Sequence, residues 1–305
     1  MALNMELIWL EDFLALSDMA NFSRAAELRN VTQPAFSRRI RALEEWVGAG
    51  LFERHSNGAR LTEAGMAFRP GAEDLLRRIN QLCAETREVG KAQASTLHFA
   101  ATHALSFTFF PGWIRGLEPP GAISLVSDSM QACEQVMLQG EAQFLLCYYH
   151  DEVLGRFDPA HFLSVCVGKD RLALLSAPDA DGKALWQISG ADGPVNYLAY
   201  GAESGLGRIV GLKQSRSESL ASLRPVVTSQ LAATLQSMAR LGRGLAWLPW
   251  SVAMDDIADG KLVRASHPST DIELEIRLFR PRARQSAAAE QFWARLKDAK
   301  QGGVA

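Results

Sequence analysis

The sequence has no long apolar run; nowhere does it approach the roughly 20 consecutive residues that a membrane helix needs. Cysteine is scarce. The four thiols, Cys83, Cys133, Cys147 and Cys166, are widely spaced with no C-x-x-C pair, which reads as reduced core thiols in the cytoplasm. The first ten residues carry Glu6 and no basic residue, against the pattern of a secretory signal. Excess charge is missing as well: 32 Lys and Arg face 34 Asp and Glu, so any basic patch must be local. There is no low-complexity tract and no repeat of fixed period. Catalytic motifs are also lacking, with no nucleophile elbow, no H-E-x-x-H and no P-loop. Gly205-Leu-Gly207 and Gly242-Arg-Gly244 lack the third glycine of a dinucleotide fingerprint and read as turns, and the six histidines show no metal-ligand spacing. No enzyme, cofactor or metal is therefore expected. What is there is 305 residues, 48% hydrophobic and 22% charged, the composition of a globular protein of two or three compact units.

Trp9, Leu10, Phe13, Leu14 and Leu16 fall on one helical face and predict a helix over roughly Leu7–Met19. Ser23, before Arg24-Ala-Ala-Glu27, reads as the N-cap of a short second helix that ends at Asn30. Thr32 then caps a third. Gln33 and Pro34 occupy its first turn, where the missing N–H costs nothing and proline's fixed φ suits the helix. Phe36, Ile40, Leu43 and Val47 form its buried stripe, and Gly48 stops it. The other face shows Gln33, Ser37, Arg38 and Arg41, with no acid from Thr32 to Leu43.

Two short helices joined by a tight turn, the second polar and cationic in its first half, predict a helix-turn-helix. Glutamine and serine can bond base edges in the major groove, and arginine can reach guanine or phosphate. Leu51–Thr62, with Ser56-Asn57-Gly58 as its turn, predicts a hairpin wing whose Arg54 and Arg60 flank the tip. The competing reading is a solvated charged helix with incidental arginines, since residues 1–65 hold seven arginines, no lysine and nine acids. The acids of the third helix lie off the candidate face, which speaks for the first reading.

Phe22-Ser-Arg-Ala-Ala, then Val31-Thr-Gln-Pro-Ala-Phe-Ser-Arg-Arg-Ile-Arg-Ala-Leu-Glu-Glu, Leu51-Phe-Glu-Arg and Leu61-Thr-Glu-Ala-Gly together resemble the DNA-binding head of LysR-type transcriptional regulators. The resemblance implies a winged helix-turn-helix over residues 1–65, with double-stranded operator DNA as partner. Gln33, Pro34, Ser37 and Arg38 would face base edges with Arg41 beside them, Ser23, Arg24 and Thr32 would hold phosphates, and Arg54 would serve from the wing.

Thr62-Glu-Ala-Gly65 opens a further helix, in which Leu75, Ile79, Leu82, Thr86 and Val89 recur as a short heptad seam. The resemblance implies that this helix, over residues 66–92, pairs subunits into a homodimer or homotetramer. Pro70-Gly71 falls inside it, and proline costs about 3 kcal/mol in a helix interior, so a kink or break is expected.

Strands and helices then alternate. Strands are predicted at Leu97–Ala101, Ile123–Ser127, Gln143–Tyr149, Leu163–Val167, Arg171–Ser176, Val195–Tyr200, Pro225–Thr228, Leu245–Leu248 and Glu273–Phe279. Helices are predicted at Phe109–Leu117, Met130–Gln139, from about Gly205, at Gln230–Leu241 and at Ala287–Lys297. This is an α/β pattern, a mostly parallel sheet covered by helices. Gly242-Arg-Gly-Leu-Ala-Trp-Leu-Pro249 resembles a motif of the same family. The resemblance implies a two-lobed, periplasmic-binding-protein-like (type II) effector domain over residues 93–305, lobe I being 93–162 with 268–305 and lobe II 163–267. Ligands of such folds lie at the carboxyl ends of the strands. That nominates Thr102, His103, Ser127, Asp128, His150, Asp151, Tyr200, Gly201, Ala202 and Ser229, the last suited to an anion at a helix start. Capping of the neighbouring helix is the alternative role for each.

His103-Ala-Leu-Ser, Tyr149-His-Asp-Glu, Phe157-Asp-Pro-Ala-His161 and Gly207-Arg are similar to a hypochlorite-responsive branch of the family. That likeness implies sensing of oxidant through methionine oxidation, which turns an apolar side chain polar. Leu206 and Leu231 stand where those methionines are expected, and Met130, Met137, Met238 and Met254 remain. The other reading within the family is a regulator of a metabolic operon that binds a small organic anion. Outside it stand an enzyme with an appended head, and a solute-binding protein, which would need export and no such head.

Overall fold

The structure, a computed structural model, describes residues 5–55, 58–89, 96–119, 121–153, 155, 157–188, 193–201, 204–216, 220 and 222–301. Chain contacts divide it into two compact units, Met1–Ala92 with Leu138–Glu141, and Gln93–Met137 with Ala142–Ala305. No helix among the described residues is long and apolar enough to cross a membrane.

The first unit carries α1 (Leu7–Met19), α2 (Phe22–Leu28), α3 (Gln33–Val47), β1 (Phe52–His55), β2 (Gly58–Leu61) and α4 (Glu63–Val89). Leu10, Phe13, Leu16, Phe36, Ile40, Leu43 and Leu51 form its core, and the Phe13 ring lies 5.2 Å from both Phe52 and Phe68. The N-cap of α2 is Asn21 rather than Ser23: its side-chain oxygen accepts the N–H groups of Ser23 and Arg24 at 2.9 and 3.1 Å. The wing pairs Phe52 with Leu61 and Arg54 with Ala59. Gly58, beside its turn, has φ 140°, and a Cβ there would stand 2.2 Å from the Ala20 carbonyl oxygen, the same atom that accepts from the Ala59 N–H. Ser56 and Asn57 lie outside the described residues.

Helix α4 does not break at Pro70 but continues through it. Its first half is anchored from outside. Ala72 is buried, and Arg69 donates to Asp18 at 2.7 Å and to Glu73 at 2.9 Å. Tertiary contacts on both sides of the proline offset its local cost.

The second unit carries one sheet in the order β4-β3-β5-β11-β6-β9-β7-β8, with β10 paired to β6. The strands are β3 (Leu97–Thr102), β4 (Ile123–Asp128), β5 (Phe144–Tyr149), β6 (Phe162–Ser176), β7 (Val195–Tyr200), β8 (Leu223–Ser229), β9 (Leu245–Pro249), β10 (Val263–Arg264) and β11 (Ile272–Pro281). β3 is parallel to β4 and β5 on one side, β7 is parallel to β8 and β9 on the other, and antiparallel β6 and β11 cross between them. This is the two-lobed, type II periplasmic-binding-like architecture.

Helices α5 (His103–Thr108), α6 (Phe110–Arg115) and α7 (Met130–Leu138) follow the first lobe's strands, and α11 (Ala287–Gln301) closes it. Helices α8 (Gly205–Ser215), α9 (Ala232–Arg240) and α10 (Trp250–Ala258) serve the second. Phe99, Phe144 and Phe292 pack with centroids 5.1–5.5 Å apart in lobe I, while Leu174, Leu198, Leu235 and Trp247 are fully buried in lobe II. The two strands expected at Leu163–Val167 and Arg171–Ser176 are a single strand, β6. Polar Lys169 and Asp170 interrupt its apolar pattern because they pair with Glu275 and Leu274 of β11 where the chain crosses between lobes.

Candidate nucleic-acid interface and cleft

The buried stripe of α3 is Phe36, Ile40 and Leu43, which leaves Thr32, Gln33, Pro34, Arg38 and Arg41 exposed. Ser23 and Arg24, at the start of α2, are exposed as well. Among the described residues Arg24, Arg38 and Arg41 have no ion pair, so their guanidinium groups are free for an anionic partner. Ser37 departs from the expectation. It is only 7% exposed, and its hydroxyl sits 3.2 Å from the Gln33 side-chain nitrogen, one helical turn earlier. Gln33 thus covers Ser37, whose hydroxyl accepts from the Gln33 amide and is placed to orient it. Arg54 also folds back, its guanidinium 4.4 Å from the Phe22 ring centroid.

The two acids at the end of α3 are partly explained by structure. The Glu44 carboxylate accepts the N–H groups of Leu51 and Phe52 at 2.8 and 3.0 Å, tying the wing to the helix. Arg39 belongs to the same unit's framework, since it donates to the fully buried Asp12 of α1 at 3.3 Å. Arg39 has no place on the candidate face read from the sequence, and its position beside the apolar stripe is the signal that it points inward.

In the second unit a cavity of about 40 Å³ opens where the strand ends of both lobes meet. Thr102, His103, Ala104, Asp128, Ser129, Met130 and Tyr148 line it from lobe I, and Ser204, Gly205, Leu206, Gln230 and Ala232 from lobe II. Of the nominated residues Thr102, His103 and Asp128 line it directly. Ser127 is exposed and does not line it, its hydroxyl lying 2.7 Å from that of Ser106 and 3.3 Å from His103 Nδ1. Tyr200 is 8% exposed and does not line it; its hydroxyl has no partner among the described residues, and burial pushes its pKa well above the ordinary value. Gly201 donates to the Ser229 carbonyl, and the Ser229 hydroxyl accepts from Leu231 N–H at 3.1 Å, so both are occupied at the rim. His150 lines a different groove of about 380 Å³ with Glu152, Lys213 and Arg216. Ala202 lies outside the described residues.

No arginine or lysine lines the smaller cavity; its polar groups are hydroxyls, an imidazole, an amide and one carboxylate. α7, α8 and α9 all begin at its rim, so backbone N–H groups face it. Tyr148 is held by Asp170 of β6, which accepts from the tyrosine hydroxyl at 2.8 Å and from the Ser251 hydroxyl at 2.6 Å. Burial first, then the Asp170 carboxylate, pushes the Tyr148 pKa well up and keeps it a neutral donor. The lobes are tied behind the cavity by a two-point ion pair. Arg208 of α8 donates to the fully buried Glu134 of α7 at 2.8 and 3.1 Å. That hydrogen-bonded carboxylate holds the guanidinium above its ordinary pKa against the pull of burial. Met130, Tyr148, Ser204 and Gln230 were not foreseen from sequence; of these, only Ser204, preceding Gly205, carried a helix-capping signal.

The family description "Bacterial regulatory helix-turn-helix protein, lysR family" matches residues 7–66, and "LysR substrate binding domain" matches residues 90–301. The chain is similar to the HTH-type transcriptional regulator YjiE of Escherichia coli (strain K12), 30% identical over 295 residues that make up 97% of this chain and 95% of that one. It is also similar to the crystal structure of Vibrio fischeri DarR in complex with DNA, at 31% identity and TM-score 0.56, with 96% of this chain and 99% of that chain covered. The full-length structure of HypT from Salmonella typhimurium, described as a hypochlorite-specific LysR-type transcriptional regulator, is similar at 29% identity and TM-score 0.60, with 98% and 99% covered.

Proposed function

This chain belongs to the LysR family of transcriptional regulators, DNA-binding proteins with an effector-binding domain and not enzymes, and on that premise we propose an operator-specific regulator whose cleft senses a small oxidant, hypochlorite foremost. In this reading the protein works in the cytoplasm as a homodimer or homotetramer paired through the α4 seam. Gln33 and Pro34 meet base edges with Arg38 and Arg41 alongside, Ser23, Arg24 and Thr32 hold phosphates, Arg54 acts from the wing, and Ser37 acts by orienting Gln33.

The observation that carries the oxidant reading is a methionine, Met130, in the wall of the cleft. The cleft has no arginine or lysine, so an anion there would rest on hydroxyls, the His103 imidazole and helix N-terminal N–H groups. Met130 is at its wall, with its side chain against Gly205, so that a Cβ on Gly205 would lie 3.2 Å from the Met130 Cβ and Cγ. Conversion of that thioether to a sulfoxide would place a polar oxygen between α7 and α8 and favour another lobe arrangement. The similarity to a regulator described as hypochlorite-specific supports the same stimulus.

The test is genome-wide footprinting with and without a brief hypochlorite pulse, with peptide mass spectrometry of Met130. Expected are discrete footprints whose occupancy changes as Met130 gains oxygen. Footprints unmoved by the pulse would sink the oxidant reading and leave the regulator; no discrete footprints at all would sink the operator-binding reading.

A further inference from the structure

Asp12 lies on α1, outside the helix-turn-helix, and is 0% exposed. A lone carboxylate with no solvent is costly, and it persists only where charged donors meet it. Here each oxygen serves a different helix. Oδ1 accepts from Arg29 Nε at 2.9 Å, and Oδ2 accepts from Arg39 Nη1 at 3.3 Å. Arg29 is the C-cap of α2, where the chain turns toward α3; Arg39 is in the middle of α3, beside Arg38. Glu11 adds a second carboxylate on Arg29, so two acids and two guanidinium groups balance. Burial pulls the Arg29 pKa down, but Asp12 and Glu11 outweigh it and the cation is retained.

Apolar packing already joins these helices through Phe13, Phe36, Ile40 and Leu43. Such packing tolerates small rotations of α3 about its axis, because hydrophobic contact has no direction. A carboxylate shared by two guanidinium groups does have direction. Ion pairs of this kind contribute little net stability compared with an apolar replacement, so their presence calls for another role. The one they fit is geometric, since a rotation of α3 would lengthen the Arg39 bond while moving Gln33, Arg38 and Arg41 together.

We propose that Asp12 is a positioning residue for DNA reading: through Arg39 and Arg29 it fixes the orientation of α3, and with it the register of the exposed Gln33–Arg38 face against base edges. The inference rests on the operator-binding reading above. It also assigns Arg39 to the framework, apart from the cations proposed to meet DNA.

The test uses full-length protein and a duplex recovered by selection of wild-type protein on a random DNA pool, with scrambled duplex as reference. The quantity is the ratio of the two affinities for wild type, Asp12→Asn, Arg39→Gln and the double variant, with thermal melting to check folding. Each single variant should lower the ratio about tenfold, the scale of one lost base contact. Random-duplex affinity should be kept, because Arg24, Arg38 and Arg41 are untouched. The double variant should lose no more than either single one, as required of two residues acting through each other. A ratio within about twofold of wild type in Arg39→Gln, which is 30% exposed on its side chain and can fold without the pair, overturns the proposal even if Asp12→Asn fails to fold. Additive losses in the double variant overturn it as well. Wild-type protein that cannot separate selected from scrambled duplex would instead refute operator binding itself, a distinguishable result.

Discussion

Gln33 concentrates the base-reading proposal, since it is exposed in the first turn of α3 and its amide is oriented by the Ser37 hydroxyl beneath. An amide held this way offers donor and acceptor together, which is what a base edge demands. Gln33→Ala should bring operator and random-sequence affinities closer, by about 1–3 kcal/mol of lost discrimination. Arg24→Ala should weaken binding to every sequence and reduce the salt slope by about 0.9. Filter binding over a salt series checks both, and a wild-type specificity ratio in Gln33→Ala would refute the base assignment. The thiols make a separate case. Burial pushes Cys133 up to about 12 and raises Cys147 too, whereas Cys83 is exposed. A thiol whose pKa is raised on folding stays protonated at pH 8, and its contribution to stability is lost only as alkaline pH ionises it first in the unfolded chain. Iodoacetamide at pH 8 should therefore label Cys83 in the native protein and leave Cys133 and Cys147 unlabelled. Equal labelling by mass spectrometry would contradict this burial.

At the scale of elements, α4 presents Leu75, Ile79 and Leu82 at 48%, 36% and 63% exposure, an apolar row that its own unit does not cover. The proposed subunit pairing would bury it as a coiled-coil seam. Leu82→Asp should convert the dimer to monomer in sedimentation equilibrium while leaving the helix-turn-helix core folded, because Leu82 lies outside that core. An unchanged mass would place the subunit contact elsewhere. Helix α3 and the wing illustrate how neighbouring elements are joined. Glu44 takes two backbone N–H groups of the wing, and Thr62 donates to Gly50 and accepts from Gly65 N–H at the start of α4. These residues belong to the motifs that resembled the family, and their chemistry is that of caps and ties.

At the scale of the whole molecule the lobes of the second unit share one sheet and meet again at Glu134–Arg208. Glu134 is fully buried, so deleting its partner or its charge exposes the cost of the site. Glu134→Ala should destabilise the protein by about 3 kcal/mol, a fall in Tm of roughly 6–12 °C for a unit of this size. Calorimetry that showed no shift would mean the pair does not tie the lobes. Net charge, at −2, says nothing of DNA; the cations that matter are few and set apart from the acids by a single helix face.

Local physics made α1, α3, the wing and most strands of the lobes legible in the sequence. Apolar residues recurring at helical spacing, Pro34 in a first turn, Gly48 as a stop and short apolar strands between turns act within a few residues. The exposed face of α3, including Gln33 and Arg38, followed from that same periodicity. Tertiary structure alone decided which polar groups are spent on the fold. Arg39 is a cation by sequence, but Asp12 claims it, while Arg54 stacks on the Phe22 ring and stays exposed. The cleft was half legible, because strand ends can be predicted while the facing wall cannot. Ser204, Leu206 and Gln230 of lobe II meet Thr102 and His103 of lobe I only when β6 and β11 cross and bring the two lobes together. Spacing along a chain reports neighbours one turn or one strand away; contacts across a hundred residues depend on which faces the completed core leaves open.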